Sequence, residues 1–161
     1  MIPLSSLGWR PELAEHLPAG TVPARVARVD RGRLVVLDGD GERRVHPGAG
    51  LHADPALGGP AVGDWVALRG ELAVALLPRT SAFVRTGAGR TSTAQVVAAN
   101  LDVVLVVDAL TADPRLRRVE RYLAVAWSSG ATPVVVLTKA DLCDDVAAGV
   151  GAVRVGPWGG A

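Results

Sequence analysis

Several residue types that build common sites are scarce in this chain. It has one cysteine among 161 residues, Cys143, which excludes an internal disulfide and a zinc cluster built on cysteines. Its net charge of +1 gives no electrostatic footprint for nucleic acid. No apolar run approaches the ~20 residues of a membrane span, and no basic leader follows Met1. We therefore expect a cytoplasmic protein without membrane contact.

Lysine is equally scarce, since Lys139 stands alone beside sixteen arginines. A phosphate loop needs the pattern Gly-x-x-x-x-Gly-Lys-Ser/Thr, because its backbone amides cradle the phosphates and its lysine reaches the outer oxygens. Lys139 lies instead in Thr138-Lys139-Ala140-Asp141. The sequence therefore contains no such loop.

The second half of the chain carries two continuous apolar runs on either side of a helical pattern. The runs cover 102–108 and 133–137, and continuous β-branched runs are typical of strands buried on both faces of a parallel sheet. Between them, apolar residues recur at helical spacing over 114–128, and Ser129-Gly130 ends the pattern. The sequence predicts a βαβ unit.

The segment Thr138-Lys139-Ala140-Asp141 directly follows the second run. In open α/β sheets, ligands bind beyond the carboxyl ends of the strands. A carboxylate at Asp141 can accept two hydrogen bonds from guanine, the stem of Lys139 can cover the purine, and the Thr138 hydroxyl can brace the loop. The segment fits the Asn/Thr-Lys-x-Asp motif of GTP-binding proteins. The alternative is an ordinary strand-to-helix turn in which Lys139 is solvated and Asp141 caps the chain from Leu142 onward.

A guanine motif without a preceding phosphate loop is unusual. In ordinary GTPases the phosphate loop comes first, yet the hundred residues before the βαβ unit hold none. Two explanations stay open. Either the nucleotide site is vestigial, or the motif order is permuted and the phosphate-binding part lies beyond residue 161.

The first half of the chain reads as short strands separated by glycine-rich turns. Five or so strands in about 65 residues favour a small Greek-key barrel of the OB type, the last of them over 79–85. We predict the following organisation: an N-terminal extension with a helix near 10–16 over 1–20, the barrel over 21–85, a linker over 86–95, a partial GTPase domain over 96–145 whose first strand is entered through 94–100, and a divergent tail over 146–161.

Arginines near the predicted domain junction are candidates for RNA contact. Arg79, Arg85 and Arg90 lie there, and Arg25, Arg28, Arg31 and Arg33 lie in or beside the first hairpin. Arginines that neutralise phosphates would make RNA binding salt-dependent. The alternative is a solvated barrel face, because acidic residues interleave with the hairpin group.

Several motifs together carry a family resemblance. Val62-Gly63-Asp64-Trp65-Val66, Leu77-Pro78-Arg79, 95–102, 117–123 and 138–142 resemble, in order and spacing, the small-ribosomal-subunit-dependent GTPase A family of bacteria. The resemblance runs from about residue 7 to 145. It implies an OB barrel, a circularly permuted GTPase domain whose base-reading motif precedes its phosphate loop, and a C-terminal zinc-binding domain.

The resemblance also implies a function. Members of this family bind and hydrolyse GTP in late maturation of the small ribosomal subunit, which stimulates them. Their Mg²⁺ and Zn²⁺ ligands, phosphate loop and switch regions have no counterpart in this sequence, so we expect the chain to be catalytically incompetent alone. By the same resemblance we expect a monomer that contacts guanine nucleotide and the rRNA of the small subunit. A non-catalytic rRNA-binding OB module with a GTPase remnant and a non-functional fragment are the alternatives.

Overall fold

The chain folds into two compact units, Met1–Leu101 and Asp102–Ala161. The computed structural model describes residues 1–52, 58–86, 94–110 and 116–154. The predicted linker over 86–95 does not coincide with the division between the units. Strands on either side of it pair with each other, so both belong to the first unit.

The first unit contains a closed five-stranded barrel whose strand order is β1-β2-β3-β5-β4. Antiparallel pairs join β1 to β2, β2 to β3, β4 to β5 and β1 to β4, whereas β3 and β5 close the barrel in parallel at only two paired positions. Turns at Gly32 and Gly70 have φ of +71° and +60°, which glycine adopts readily. The strands are β1 Val22–Asp30, β2 Arg33–Asp38, β3 Gly41–Pro47, β4 Trp65–Arg69 and β5 Leu72–Leu76.

Alternating small and branched apolar residues fill the barrel. The side chains that point inward come from all five strands, because successive residues of a strand face opposite sides. Leu51, in a 3-10 helix at Ala49–His52, closes one part of this core. The buried cluster comprises Ala24, Val26, Leu34, Val36, Val45, Leu51, Val66, Leu68 and Ala73.

The N-terminal segment packs on the outside of the barrel around Trp65. Two 3-10 helices, Leu4–Leu7 and Pro11–His16, bring Leu13 onto the 1% exposed Trp65. Trp9 meets Trp65 edge to face, with ring centroids 4.8 Å apart. The predicted helix near 10–16 therefore forms, as a 3-10 helix, which suits so short a segment.

A separate hairpin follows the barrel. Strand β6, Ala82–Thr86, pairs antiparallel with β7, Ala94–Ala99. Two expectations were therefore wrong: the segment over 79–85 does not close the barrel, and the segment over 94–100 does not enter the first parallel strand. The end of β7 contacts the segment that precedes β4, because the Ala99 amide donates a hydrogen bond to the Val62 carbonyl at 2.9 Å.

The second unit contains the predicted βαβ arrangement. Strands β8, Val103–Ala109, and β9, Thr132–Thr138, pair in parallel over seven positions, and helix α1, Leu116–Ser128, lies between them in the chain. A 3-10 helix at Ala140–Leu142 and helix α2, Val146–Arg154, follow. The region predicted as a divergent tail therefore begins with a helix, and the Asp145 carboxylate caps it by accepting from the Ala148 amide at 2.9 Å.

The described residues cover only one face of the β8–β9 sheet. Val106 and Val135 pack with Val119 and Leu123 of α1. The opposite face exposes large apolar side chains to between 41% and 59% of their area: Val103, Leu105, Val107 and Val134. The described part of the chain therefore leaves a contiguous apolar sheet face open.

A membrane-spanning helix is not found in the described residues, because no helix there combines the necessary length and apolarity.

Candidate functional site

The predicted guanine motif lies where the two parallel strands end. Ala109 is the register partner of Thr138, so the ends of β8 and β9 are adjacent. The Thr138 hydroxyl donates to the Asp108 carbonyl at 3.1 Å, and the Thr138 carbonyl accepts from the Leu110 amide at 2.7 Å. Thr138 is thus fixed to the end of β8 through both its side chain and its backbone, as the predicted role of bracing the loop requires.

The backbone turns sharply after Thr138. Lys139 has φ +59° and ψ +36°, a left-handed conformation that lysine seldom adopts. The 3-10 turn that follows is closed by the Leu142 amide, which donates to the Lys139 carbonyl at 3.0 Å. A single left-handed residue thus separates strand β9 from the short helical turn that contains Asp141. Strained conformations of this kind concentrate at binding sites.

All four motif residues, Thr138, Lys139, Ala140 and Asp141, are exposed. Within the described part of the chain, neither the Lys139 ammonium nor the Asp141 carboxylate has a hydrogen-bond or ion-pair partner. Of the alternative, an ordinary turn with a solvated lysine and a capping aspartate, the exposed Lys139 agrees with the structure. The cap does not, because α2 is capped by Asp145. The loop therefore presents one carboxylate and one ammonium to solvent, on a backbone that strand pairing and the Thr138 bonds hold in place.

The strand-end residue Asp108 carries a second set of contacts behind this loop. Its Oδ1 accepts from Arg118 at 2.6 Å and from the Ala109 amide at 2.8 Å. The Asp108 side chain is 11% exposed and that of Arg118 41%. An ion pair therefore joins the first turn of α1 to the end of β8, next to the guanine motif.

The three arginines predicted to contact RNA lie in different settings. Arg79 forms a two-point ion pair with Asp64, in which Nε and a terminal nitrogen each lie 2.7 Å from a carboxylate oxygen. The side chains are 6% and 0% exposed, so the structure gives Arg79 a structural role that leaves little of it for a phosphate. Arg85 lies exposed on β6, and Arg90 lies outside the described residues.

The hairpin arginines differ in the same way. Arg25 donates to the carbonyls of Leu7 and Asn100, which ties the N-terminal segment and the end of β7 to the barrel. Arg28 pairs with Asp30 at 3.1 Å on the surface. Arg31 and Arg33 are exposed. Arg25 is therefore occupied by structural contacts, whereas the other three face solvent.

An open groove of about 440 Å³ lies within the first unit, beside the exposed Arg85. Two arginines, one amide side chain and several apolar residues form its walls. The lining comprises Arg28, Val29, Pro60, Ala61, Val62, Arg85, Gln95, Val96 and Val97. Positive charge and apolar surface are thus combined in one concave surface.

Sequence reasoning missed the polar hub at Asn100. This residue has φ +54°, and its side chain donates to the Gly63 carbonyl and accepts from the Thr80 amide, both at 3.0 Å. It also missed the role of Asp64, which accepts from the Ala61 amide at 2.7 Å besides pairing with Arg79. A lone acidic residue beside a tryptophan in an apolar strand was the available signal for a buried, paired carboxylate.

No cluster of three or more histidine, cysteine, aspartate or glutamate side chains suited to a metal ion occurs within the described ranges.

Comparison with known proteins finds matches that cover parts of both units. The family model for the RsgA GTPase matches residues 76–155, which reaches into helix α2. A small ribosomal subunit biogenesis GTPase RsgA of Streptomyces coelicolor is 42% identical over 150 residues, covering 88% of this chain and 41% of that protein. An RsgA of Streptomyces avermitilis is 43% identical over 148 residues, covering 85% and 38%. The chain thus spans about two fifths of the length of the curated relatives it matches.

Solved structures agree on the fold. YloQ, described as a circularly permuted GTPase, aligns with a TM-score of 0.59 at 18% identity, covering 84% of this chain and 46% of the other. YjeQ from Thermotoga maritima aligns with a TM-score of 0.61 at 18% identity, covering 83% and 46%. These neighbours confirm the predicted fold class, an OB-type barrel followed by part of a circularly permuted GTPase domain. Over the regions compared, the chain belongs to the RsgA GTPase family.

Proposed function

We propose that this chain supplies guanine-nucleotide recognition to a GTPase that acts in small-ribosomal-subunit biogenesis, through Thr138, Lys139, Ala140 and Asp141. The observation that supports it is the geometry of the loop at the carboxyl ends of parallel strands. Thr138 is braced, Lys139 is left-handed, and Asp141 is exposed and has no partner among the described residues. Asp141 accepts from two guanine nitrogens, Lys139 covers the base, and Thr138 holds the turn.

Selectivity follows from hydrogen-bond chemistry. Guanine offers two donors on the edge that faces Asp141, whereas adenine offers an acceptor there and would leave the carboxylate facing a lone pair. A hydrogen bond to a charged group contributes about 1.5–3 kcal/mol. Loss of even one such bond corresponds to at least about a tenfold change in affinity.

Hydrolysis is a separate matter from recognition. Phosphoryl transfer needs a phosphate cradle, a metal ion and a positioned water. The sequence holds no phosphate loop, because its only lysine lies in the guanine motif. Family members use GTP and Mg²⁺, and this chain by itself is proposed to bind guanine nucleotide without turning it over.

The test is calorimetric titration of the purified chain with GDP, GTP and ATP. We expect guanine-selective binding in the wild type and its loss in Asp141→Ala. Asp144→Ala is the matched control, because Asp144 is an exposed aspartate three residues further on whose side chain forms no hydrogen bond or ion pair with the described residues. Equal affinity for GTP and ATP, or an Asp141→Ala variant that binds guanine nucleotides normally, would refute the proposal, and GTP turnover dependent on Lys139 would refute its non-catalytic part.

A second function, contact with rRNA of the small subunit, is favoured by the groove beside Arg85. The Arg85 guanidinium has no partner in the described part of the chain, and it shares the groove with Arg28. Phosphates neutralised by these side chains would release counterions on binding. This function suits a monomeric cytoplasmic chain, and it also fits the alternative of a non-catalytic RNA-binding barrel.

Binding to purified small subunits at increasing salt tests this second function. We expect affinity to fall as salt rises and Arg85→Ala to bind more weakly with a smaller salt dependence. Arg44→Ala is the control, since it removes the same charge from an exposed position of β3. Equal losses of affinity in Arg85→Ala and Arg44→Ala would show that only net charge matters and would contradict a specific contact by Arg85. A chain that binds neither nucleotide nor subunit would support the remaining alternative, a non-functional fragment.

A further inference from the structure

The end of strand β8 holds the guanine motif through Asp108. The Asp108 carbonyl accepts from the Thr138 hydroxyl at 3.1 Å. Two residues further on, the Leu110 amide donates to the Thr138 carbonyl at 2.7 Å. Leu110 is 1% exposed and fixed in the interior of the second unit. The position of Thr138 therefore depends on the backbone between Asp108 and Leu110.

The orientation of Asp108 depends in turn on Arg118. With 11% of its side chain exposed, the Asp108 carboxylate needs partners for its charge. Among the described residues, the Asp108 carboxylate has two partners, the neighbouring Ala109 amide at 2.8 Å and Arg118 at 2.6 Å. The first is local to the strand end. Arg118 is the contact that joins this carboxylate to another element, helix α1.

We propose that Arg118 is a positioning residue for guanine recognition. By fixing the Asp108 side chain, it fixes the carbonyl that receives the Thr138 hydroxyl, and so the entry into the left-handed Lys139. Only Lys139 and Ala140 separate Thr138 from Asp141, so a rotation at Thr138 carries directly into the direction of the Asp141 carboxylate. This inference rests on the proposed guanine site.

The chain offers a closely matched pair of variants. Arg117 and Arg118 are neighbours in the first turn of α1, both exposed, and within the described residues Arg117 has no ion pair. Arg118→Ala and Arg117→Ala therefore change the charge and helix propensity equally. Arg118→Lys keeps the charge without the planar guanidinium and should fall between Arg118→Ala and the wild type.

Two readouts separate positioning from a general loss of stability. The first is amide hydrogen exchange at Leu110 and Leu142, whose N–H groups donate to Thr138 and Lys139. The second is calorimetric titration with GDP and ADP. For Arg118→Ala we expect the exchange rates of these two amides to rise and the ratio of GDP to ADP affinity to fall. Each change should be roughly twofold to fivefold, which is the effect of losing a part-exposed ion pair. Amides in the middle of β9 should be unaffected.

The outcomes are distinct. Exchange and selectivity in Arg118→Ala equal to those of Arg117→Ala would overturn the inference. Faster exchange in a chain whose wild type binds no GDP would show that the proposed guanine site fails while the loop still depends on Arg118. If Arg118→Ala does not fold, Asp108→Asn takes its place: it keeps the shape and the bond to Ala109, and normal exchange at Leu110 in that variant would equally overturn the inference.

Discussion

Arg79 and Asp64 form a two-point ion pair with almost no access to water: the nitrogen to oxygen distances are 2.7 Å, and the exposed fractions of the side chains are 6% and 0%. The same Asp64 accepts from the Ala61 amide, and Arg79 donates to the Gly59 carbonyl at 3.0 Å. Arg79 is thus joined to the segment 59–64, which lies 15 to 20 residues before it in the sequence.

Removal of one partner should be costly. Arg79→Ala leaves a buried carboxylate without its counter-charge, which is expected to lower the free energy of unfolding by about 3–5 kcal/mol. The double variant Asp64→Asn/Arg79→Met keeps an acceptor for the Ala61 amide and removes both charges, so it should lose much less. Urea denaturation measures both. A single variant as stable as the wild type would contradict the buried pair.

Asn100 should be sensitive to its backbone as well as to its side chain. Asn100→Gly loses the bonds to Gly63 and Thr80 but accepts φ +54°, whereas Asn100→Ala loses the bonds and adds left-handed strain of about 1 kcal/mol. The glycine variant should therefore unfold at the higher urea concentration. The reverse order would show that Asn100 does not need the left-handed region.

Gly63 should tolerate no side chain. A Cβ added there would lie 2.1 Å from the Ala99 carbonyl oxygen, at φ +89°. We expect Gly63→Ala to lower stability by about 3 kcal/mol or more, since the β7 backbone must move away. Gly70→Ala is the control: its φ is +60° but nothing lies within 4 Å, so only the strain of about 1 kcal/mol applies. Equal losses in the two variants would exclude the close approach to Ala99.

The Thr138 hydroxyl should matter for the loop. Thr138→Val keeps the branched shape but loses the bond to the Asp108 carbonyl, worth about 0.5–1.5 kcal/mol. Amide exchange at Leu110 should become faster in this variant and stay normal in Thr138→Ser, which keeps the hydroxyl. If the serine variant exchanges as fast as the valine variant, the methyl group and not the hydroxyl holds the loop.

Local patterns predicted much of the fold. Continuous apolar runs identified β8 and β9, although the described residues cover only one face of this sheet. The spacing of Val119 and Leu123 identified α1, because burial along one stripe of a helix leaves a direct trace in the sequence. The glycine-bearing turns separated the barrel strands in the same way. The position of the guanine motif at a strand end followed from these elements.

Contacts between distant residues could not be predicted in this way. The barrel closes through β3 and β5, a pairing that the sequence did not predict. Strand β6 pairs with β7, although the sequence placed 79–85 in the barrel and 94–100 at the entry to the first parallel strand. The pairing of Arg79 with Asp64 depends on the same topology. A surface arginine that binds phosphate and a buried arginine that binds aspartate have the same sequence signature, so only the fold distinguishes Arg79 from Arg85.

The two-position parallel contact between β3 and β5 has a consequence for the order of folding. The pairs β1–β2, β2–β3 and β4–β5 connect strands that are neighbours in sequence, so they form at little entropic cost. Closure pairs His46 and Pro47 with Leu72 and Ala73, which follow 26 residues later in the chain, and it adds few hydrogen bonds in return. The barrel is therefore expected to assemble as two local sheets, with this short contact among the last to form and the first to open.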